Sequence, residues 1–186
     1  MLSLAEANAI LHDGDLLFTA EEVAAATARI ATKINRDYAE KYPLLLSVMG
    51  GAVVFSGHLL SQLDFPLDFD IVQASRYGNE KVGSELTWRV APRDNIAGRH
   101  IIILDDILDE GVTLAAIVDL VKKQGALSVS CAVFCVKDYG SEINARKPLV
   151  ADYVGITVPN RFVFGYGMDV SGAWRNLPAI YAIKGK

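Results

Sequence analysis

The chain has 186 residues, of which 52% are hydrophobic and 22% are charged, a composition typical of one globular domain with a sizeable core, with or without a small appended hood. The formal net charge of −4 leaves no broad basic surface and argues against sequence-independent binding to nucleic acid. Residues 44–55, the most apolar window, are too few to span a bilayer, and no basic segment precedes an apolar stretch near residue 1. We therefore expect a cytoplasmic protein without a membrane partner.

The first half of the chain alternates between helical and strand-like patterns. Residues 21–38 carry apolar side chains at three- and four-residue intervals, which predicts an amphipathic helix with Thr19 as its N-cap. The pair Gly50 and Gly51 predicts a turn between a buried strand and a helix. The remaining predicted elements are strands at residues 44–49, 66–75 and 85–90, a helix at 52–63 and a polar loop at 76–84.

The centre of the chain combines a short apolar run with a cluster of acidic residues. Residues 101–104 are four consecutive branched apolar residues, a pattern that predicts a strand covered on both faces. Asp105 and Asp106 follow directly, and we place them in a loop that extends to residue 113. Gly111 permits backbone conformations that other residues avoid, and Thr113 is the expected N-cap of a helix at 114–123.

This central loop has the chemistry of a binding site. The start of a helix leaves amide N–H groups unpaired, so the loop is suited to a phosphate group. The carboxylates of Asp105, Asp106 and Asp109 would repel a bare phosphate, so they must face sugar hydroxyls, a divalent cation or a proton to be removed. The motif alone also fits a receiver-type or Rossmann-like α/β domain in which the acidic strand end is coincidental.

The second half of the chain continues the alternation of strands and helices. This order predicts an α/β fold with a mainly parallel, twisted sheet and helices on both faces. Cys131 and Cys135 are expected to be buried, reduced thiols, whereas His12, His58 and His100 are expected at the surface or at helix caps. The later predicted strands lie at residues 129–136, 152–158 and 179–183.

Four segments should meet at the carboxyl ends of the strands, where ligands of open α/β sheets bind. They are residues 49–51, residues 76–79, residues 105–113, and Lys137 together with residues 162–169. The acidic pair followed by a phosphate loop resembles the phosphoribosyl diphosphate motif of the type I phosphoribosyltransferases. Residues 158–169 and 174–178, which include the run Phe162-Val-Phe-Gly-Tyr-Gly-Met-Asp169, resemble the C-terminal hood of the hypoxanthine-guanine phosphoribosyltransferases. The resemblance covers most of the chain.

The resemblance implies a single phosphoribosyltransferase domain over residues 1–186, with a hood built from the N-terminal segment and residues 158–186. The implied activity is purine salvage. The 5-phosphoribosyl group of 5-phospho-α-D-ribose 1-diphosphate, called phosphoribosyl diphosphate below, would pass to N9 of hypoxanthine or guanine, giving IMP or GMP and diphosphate. Magnesium (Mg²⁺) is the implied cofactor, and a homo-oligomer, a dimer or tetramer, is the implied assembly.

The resemblance also assigns roles on the purine side of the site. Asp109 would be the catalytic base, accepting a proton from the N7 side of the purine as N9 attacks the sugar. Phe162 would stack on the purine, the backbone of Val163 would meet its edge, and Lys137 would donate to the oxygen at position 6. Ile107 and Asp169 are the other implied purine-binding residues.

On the sugar side, amides around Glu110 to Thr113 and the Thr113 hydroxyl would hold the 5-phosphate, and Arg175 would meet the diphosphate. The implied residues that bind phosphoribosyl diphosphate are Gly50, Gly51, Arg76, Tyr77, Asp105, Asp106, Asp109, Glu110, Gly111, Val112, Thr113 and Arg175. The implied metal-binding residues are Asp105, Asp106 and Asp169. Each carboxylate oxygen is a ligand that Mg²⁺ accepts.

Three positions depart from the family pattern and weaken the phosphate site. Met49 stands where many relatives have a lysine, Val112 where a lysine or arginine is usual, and Glu110 where a threonine is usual. The change at Glu110 adds a negative charge and removes a hydroxyl donor, and Arg76 is expected to offset part of this loss.

Several of these residues also have ordinary structural explanations. Core packing would explain Phe162, a solvated strand end would explain Lys137, a helix cap would explain Asp109, and a surface charge would explain Arg175. The rival function is a regulatory protein that keeps the fold as a sensor of phosphoribosyl diphosphate or nucleotide and binds nucleic acid. The acidic composition and the presence of Asp109 argue against this rival.

Overall fold

A computed structural model describes residues 2–76, 86–92 and 95–185, and at residues 75, 76, 86 and 87 it describes the backbone alone. Within these residues the chain forms two sheets with flanking helices. In chain order the elements are α1 (Leu4–Asp13), β1 (Asp15–Phe18), α2 (Ala20–Tyr38), β2 (Leu44–Val48), α3 (Ala52–Leu60), β3 (Asp68–Arg76), β4 (Leu86–Val90), β5 (His100–Leu108), α4 (Val112–Lys123), β6 (Ser128–Asp138), α5 (Ser141–Asn144), β7 (Tyr153–Pro159), β8 (Val163–Phe164) and β9 (Ile180–Ala182).

The main sheet has the strand order β4-β3-β2-β5-β6-β7. Its central strand β2 pairs in parallel with β3 on one side and with β5 on the other. Strands β5, β6 and β7 continue the parallel arrangement, and β4 alone runs antiparallel to its neighbour β3. The predicted α/β fold with a mainly parallel sheet is therefore confirmed.

The apolar runs of β2 and β5 are continuous because both faces of the sheet are covered. Leu45 and Ile102 pack in one core with α2 and α3, whereas Leu44, Leu46 and Ile101 pack in the other core with α4. Successive side chains on a strand point to opposite faces, so a strand between two cores has no position for a polar residue to reach water. This arrangement leaves the ends of the strands as the place for polar chemistry.

Helix α2 begins where the sequence predicts. Thr19 accepts a hydrogen bond from the Glu22 backbone N–H at 3.3 Å, and the Glu22 carboxylate accepts the Thr19 N–H at 2.8 Å. This reciprocal capping box satisfies two amides that a helix start would otherwise leave unpaired. The predicted helix after Gly51 is also present, although it ends at Leu60 rather than at residue 63.

A second, three-stranded antiparallel sheet has the order β1-β9-β8, and we use the name hood for this sheet together with residues 165–179 between β8 and β9. It draws its strands from both ends of the described chain, and Arg161 ties them together by donating to Asp15 at 2.6 Å and to the Ile183 carbonyl at 2.9 Å. Tyr166 of the hood contacts both the main sheet and α2, because its ring lies 4.4 Å from that of Phe134 on β6 and its hydroxyl lies 2.9 Å from Thr27 Oγ1 on α2. Sequence reasoning missed α1 because none of its residues is buried.

The cysteines lie as predicted, both buried and both free on β6. Burial raises the pKa of Cys131 to about 12, so this side chain stays a neutral thiol. His12 and His58 are exposed, and His100 lies 2.7 Å from Ser128 Oγ at the start of β5. In the described part of the chain, no helix is long and apolar enough to cross a membrane.

Candidate active site

Strand β5 is longer than the sequence pattern suggests. It runs to Leu108, so Asp105, Asp106 and Ile107 lie at its end and the predicted loop beginning at residue 105 is wrong. The reason is the partner strand: β2 pairs with β5 only as far as Leu104, whereas β6 continues to pair with β5 as far as Leu108. The acidic pair is thereby held by a strand, and the loop proper is reduced to residues 109–111.

Helix α4 begins at Val112, one residue after Gly111. Gly111 is the N-cap and has φ 80°, a left-handed conformation that favours glycine, and no side chain caps this helix start. The expectation that Thr113 is the N-cap is therefore wrong, because Thr113 is the second residue inside the helix. The uncapped amides of the first turn are suited to an anion.

The two carboxylates at the end of β5 are fixed by backbone hydrogen bonds. Asp105 Oδ1 accepts the N–H of Asp106 at 3.0 Å, and Asp106 Oδ1 accepts the N–H of Ile107 at 2.9 Å. Burial raises the pKa of Asp105 well above its usual range, with a further rise from the neighbouring Asp106 charge. Burial raises the pKa of Asp106 as well, although hydrogen bonds and the Arg175 charge oppose the rise.

We expect Asp105→Asn to raise thermal stability at pH 7.5. An acid whose pKa is raised by folding costs stability when it ionises, and the cost disappears at low pH, where it is protonated in both states. A domain of this size gains about 2–4 °C in melting midpoint for each kcal/mol added to its free energy of unfolding. Calorimetry between pH 7.5 and about pH 4 should show a gain that shrinks as the pH falls. A lower midpoint than wild type at pH 7.5 would contradict the explanation.

The turn before α3 packs directly against the acidic pair. A Cβ atom added at Gly51 would lie 1.7 Å from Asp106 Oδ2, and one added at Gly167 would lie 2.0 Å from the Gly51 carbonyl oxygen. Gly50, by contrast, has nothing within 4 Å of such an atom. The close packing of Gly51, Asp106 and Gly167 brings the turn, the end of β5 and the hood together at one point.

Asp109 stands in the loop between β5 and α4 and is bound by two residues from the end of β6. Lys137 Nζ donates to Asp109 Oδ2 at 2.9 Å, and the Tyr139 hydroxyl donates to Asp109 Oδ1. The side chain of Lys137 is 12% exposed, whereas that of Asp109 is 45% exposed. The carboxylate is therefore accessible to a ligand on one side and held by donors on the other.

One cavity joins the carboxylate to the hood. It has a volume of 180 Å³, and its lining residues are Asp106, Ile107, Asp109, Lys137, Phe162, Val163, Met168 and Asp169. Phe162 is 46% exposed, although it is large and apolar, so core packing does not explain it. The structure thus brings together all the residues that the sequence analysis placed on the purine side.

Arg175 and Asp169 form an ion pair in the hood next to this cavity. Arg175 Nη2 lies 2.5 Å from Asp169 Oδ1, and Arg175 Nη1 donates to the Gly167 carbonyl at 2.5 Å. The second oxygen of Asp169 accepts the N–H of Gly172 at 2.6 Å. Arg175 is therefore held by the hood rather than exposed as an isolated surface charge.

Two predicted site residues cannot be placed. Tyr77 and the side chain of Arg76 lie outside the described residues. Sequence reasoning in turn missed Tyr139, Met168 and the close approach of Gly167. The spacing offered a signal for Tyr139, because an aromatic residue two positions after Lys137 near a strand end points to the same side.

The carboxylates at this site are compatible with a magnesium ion that is held mainly by phosphate oxygens of a ligand. Among residues 2–76, 86–92 and 95–185, no group of three or more metal-binding side chains is placed to hold an ion. Asp105 and Asp106 each use one oxygen for a backbone N–H, and Asp169 uses both oxygens. Mg²⁺ retains waters and takes few protein ligands beside phosphate oxygens, so such a sparse set is compatible with it.

Comparison with known proteins agrees with this geometry. The phosphoribosyl transferase domain family matches residues 14–171. A hypoxanthine-guanine phosphoribosyltransferase of Streptococcus thermophilus is 35% identical over 170 residues, which are 91% of this chain and 92% of the relative. A hypoxanthine-guanine-xanthine phosphoribosyltransferase of Tritrichomonas foetus is 31% identical over 169 residues, 91% of each chain.

The fold agrees as well. The crystal structure of a hypoxanthine phosphoribosyltransferase from Staphylococcus aureus superposes with a TM-score of 0.85 at 27% identity and covers 95% of both chains. The residues of the family match include the acidic end of β5, the loop before α4, and the hood strands β1 and β8, whereas β9 lies beyond residue 171. The chain therefore belongs to the phosphoribosyltransferase family, among relatives that are hypoxanthine-guanine phosphoribosyltransferases.

Proposed function

We propose that this protein is a purine-salvage transferase that moves the 5-phosphoribosyl group of phosphoribosyl diphosphate to N9 of hypoxanthine or guanine. The products are IMP or GMP and diphosphate. The observation that carries the proposal is the single cavity shared by Asp109, Lys137 and Phe162, beside the uncapped start of α4. The relatives carry the names of enzymes, so the comparisons do not favour the alternative of a regulatory nucleic-acid-binding protein.

On the purine side, the exposed ring of Phe162 supplies a face on which a planar base can stack. The Val163 backbone and Ile107 line the edge of the same cavity, and Asp169 closes it from the hood. Lys137 is the donor for the oxygen at position 6. An amino group at that position would leave the ammonium without an acceptor, so Lys137 selects 6-oxopurines over adenine.

On the sugar side, the amides of residues 110–113 and the Thr113 hydroxyl receive the 5-phosphate at the start of α4. Asp105 and Asp106 face the ribose hydroxyls, and the backbone of Gly50 and Gly51 faces the diphosphate. The remaining residues proposed to contact phosphoribosyl diphosphate are Arg76, Tyr77, Asp109, Glu110, Gly111, Val112 and Arg175. Glu110 is exposed and adds negative charge here, so cationic contacts from elsewhere are needed.

Asp109 acts as the general base. As N9 of the purine attacks the anomeric carbon, the carboxylate accepts the proton from the N7 side, and the bond to diphosphate breaks. Positive charge that develops on the ribose ring is stabilised by the nearby carboxylates of Asp105 and Asp106. Magnesium, held by the diphosphate with contacts from Asp105, Asp106 and Asp169, would supply neutralisation of the leaving group's charge.

The proposed function is tested by a panel of four bases. The protein is mixed with magnesium and phosphoribosyl diphosphate, and each of hypoxanthine, guanine, xanthine and adenine is added separately. We expect IMP and GMP to form and adenine to give no product above background. Absence of nucleotide with every base, together with tight binding of RNA or DNA, would instead support the regulatory alternative.

We expect Lys137→Met to lower kcat/KM for hypoxanthine by about 10- to 100-fold, because a donor to the 6-oxygen is lost. The preference for hypoxanthine over adenine should narrow, since adenine never benefited from the ammonium. Steady-state kinetics with both bases provides the measurement. Lys123→Met, at the exposed last residue of α4, is the matched control and should behave as wild type. An unchanged base preference in Lys137→Met would contradict the assigned role.

We also propose a cytoplasmic location, because the proposed substrates, a phosphorylated sugar and a purine base, are metabolites of the cell interior. A homo-oligomer, either a dimer or a tetramer, is proposed from the family resemblance. Sedimentation of the purified protein over a range of concentrations measures the assembly.

A further inference from the structure

The segment after β6 contains a tyrosine to which the proposed reaction gives no role. Tyr139 is partly buried and directly follows the last residue of β6. Its hydroxyl donates to Asp109 Oδ1, while Lys137 Nζ donates to Asp109 Oδ2 at 2.9 Å. Each oxygen of the proposed general base therefore has its own donor from the same strand end.

The two donors differ in the hydrogen bonds that the proposed reaction requires of them. Lys137 is needed at the 6-oxygen of the purine, so its hydrogen bond to Asp109 must weaken or break when the base binds. Among the described residues, the Tyr139 hydroxyl has no hydrogen-bond partner other than Asp109. We propose that Tyr139 is a positioning residue that holds the Asp109 carboxylate toward the purine while Lys137 contacts the base. This inference rests on the proposed function.

Tyr139 is itself well anchored for such a role. Its backbone N–H donates to Asn144 Oδ1 at 3.1 Å, which ties the segment to α5. Lys147 Nζ donates to the Lys137 carbonyl at 2.5 Å and lies 5.2 Å from the centre of the Tyr139 ring. Lys137 Nζ lies 6.0 Å from the same ring centre. A ring placed near two ammonium groups and fixed through its backbone can orient a hydroxyl with little loss of entropy on substrate binding.

Within the described part of the chain, ionisable groups from several elements surround the Asp109 carboxylate, and Asp106 and Asp169 line the same cavity. Lys137 and Tyr139 come from the end of β6, Lys147 from the segment after α5, and Glu110 is its neighbour in the loop. Burial, followed by the hydrogen bond to Asp109, raises the pKa of Tyr139 to about 12. A phenol with this pKa remains protonated through the usual assay range, so it stays a donor there.

The decisive variant is Tyr139→Phe, which keeps the ring and removes only the hydroxyl. We expect kcat/KM for hypoxanthine to fall about tenfold, mainly through kcat, because a hydrogen bond to a charged group is lost. The KM for hypoxanthine should change by less than about twofold, since the variant keeps the groups proposed to contact the base. The preference for hypoxanthine over adenine should not change. If the wild type is active and Tyr139→Phe has the same kcat, the inference is overturned.

A double-variant cycle separates action through Asp109 from a general structural effect. In the Asp109→Asn background, Tyr139→Phe should lower kcat by less than about twofold, because the group it positions has already been removed. A further tenfold loss in that background would show that Tyr139 acts elsewhere and would overturn the inference.

Tyr153→Phe is the matched control. The Tyr153 hydroxyl also donates to a carboxylate, Asp37 Oδ2, at 2.9 Å, but this contact joins β7 to α2 away from the site. The kcat and KM of Tyr153→Phe should equal those of wild type. Failure of the proposed function can be distinguished from failure of this inference. A wild type that makes neither IMP nor GMP overturns both. An active wild type whose kcat equals that of Tyr139→Phe overturns the inference alone.

Discussion

Asp109→Asn is expected to lower kcat by about 10²- to 10⁴-fold with hypoxanthine or guanine, because an amide cannot accept the proton that leaves the purine. This range corresponds to about 3–5 kcal/mol of transition-state stabilisation. The asparagine oxygen can still accept one of the hydrogen bonds from Lys137 and Tyr139, so the cavity should keep its shape. Product formation under saturating substrates measures the loss.

The matched control for Asp109→Asn is Asp119→Asn, which makes the same chemical change at an exposed position on α4. It should retain wild-type kcat. Because the Asp109 side chain is 45% exposed, Asp109→Asn should also keep a melting midpoint close to that of wild type. A kcat within about threefold of wild type would remove Asp109 from the role of general base, since base catalysis typically contributes at least 10²-fold.

Gly51→Ala is expected to lower kcat/KM for phosphoribosyl diphosphate by about 100-fold, because displacement of site groups by about 1 Å can cost this much. The new Cβ would lie 1.7 Å from Asp106 Oδ2, so the carboxylate or the start of α3 must move. The backbone at Gly51 has φ −71° and ψ −42°, which any residue adopts. The predicted effect is therefore purely steric. Overpacking of this kind also destabilises by about 1–3 kcal/mol.

Gly57→Ala tests whether the effect is specific to the turn. Gly57 lies within α3, and a Cβ atom there would meet nothing within 4 Å. Alanine in a helix is more stable than glycine by about 0.5–1 kcal/mol, so this variant should melt slightly higher and keep full activity. If Gly51→Ala showed wild-type kinetics, the close packing of the turn against Asp106 would have no bearing on substrate binding.

The departures at Met49, Glu110 and Val112 bear on both predictions, because they leave the phosphate side of the site with less positive charge than the family resemblance implies. Val112 and Glu110 are exposed at the start of α4 and in the loop before it. Binding of the anion then depends more strongly on backbone amides, whose direction is set by the backbone at Gly111 and Gly51. Positions where glycine is required should accordingly be more sensitive to substitution than any single side chain on the sugar side.

The sequence by itself determined the alternation of strands and helices, and therefore the α/β fold. Local patterns sufficed because continuous apolar runs such as residues 101–104 are compatible with a strand between two cores and with little else. The same patterns located the acidic pair, the loop containing Asp109, and the aromatic run that begins at Phe162. Capping chemistry at Thr19 was likewise readable, because its partner Glu22 lies only three residues away.

The tertiary structure alone decided how far β5 extends and where α4 begins. The strand continues to Leu108 because β6, a distant segment, still offers backbone partners after β2 has ended. The tertiary structure also decided that Gly51 must be glycine and that Tyr139 and Lys137 meet at Asp109. These contacts join residues that are 28–55 positions apart in the chain. Such contacts depend on strand order and register, which no local window contains.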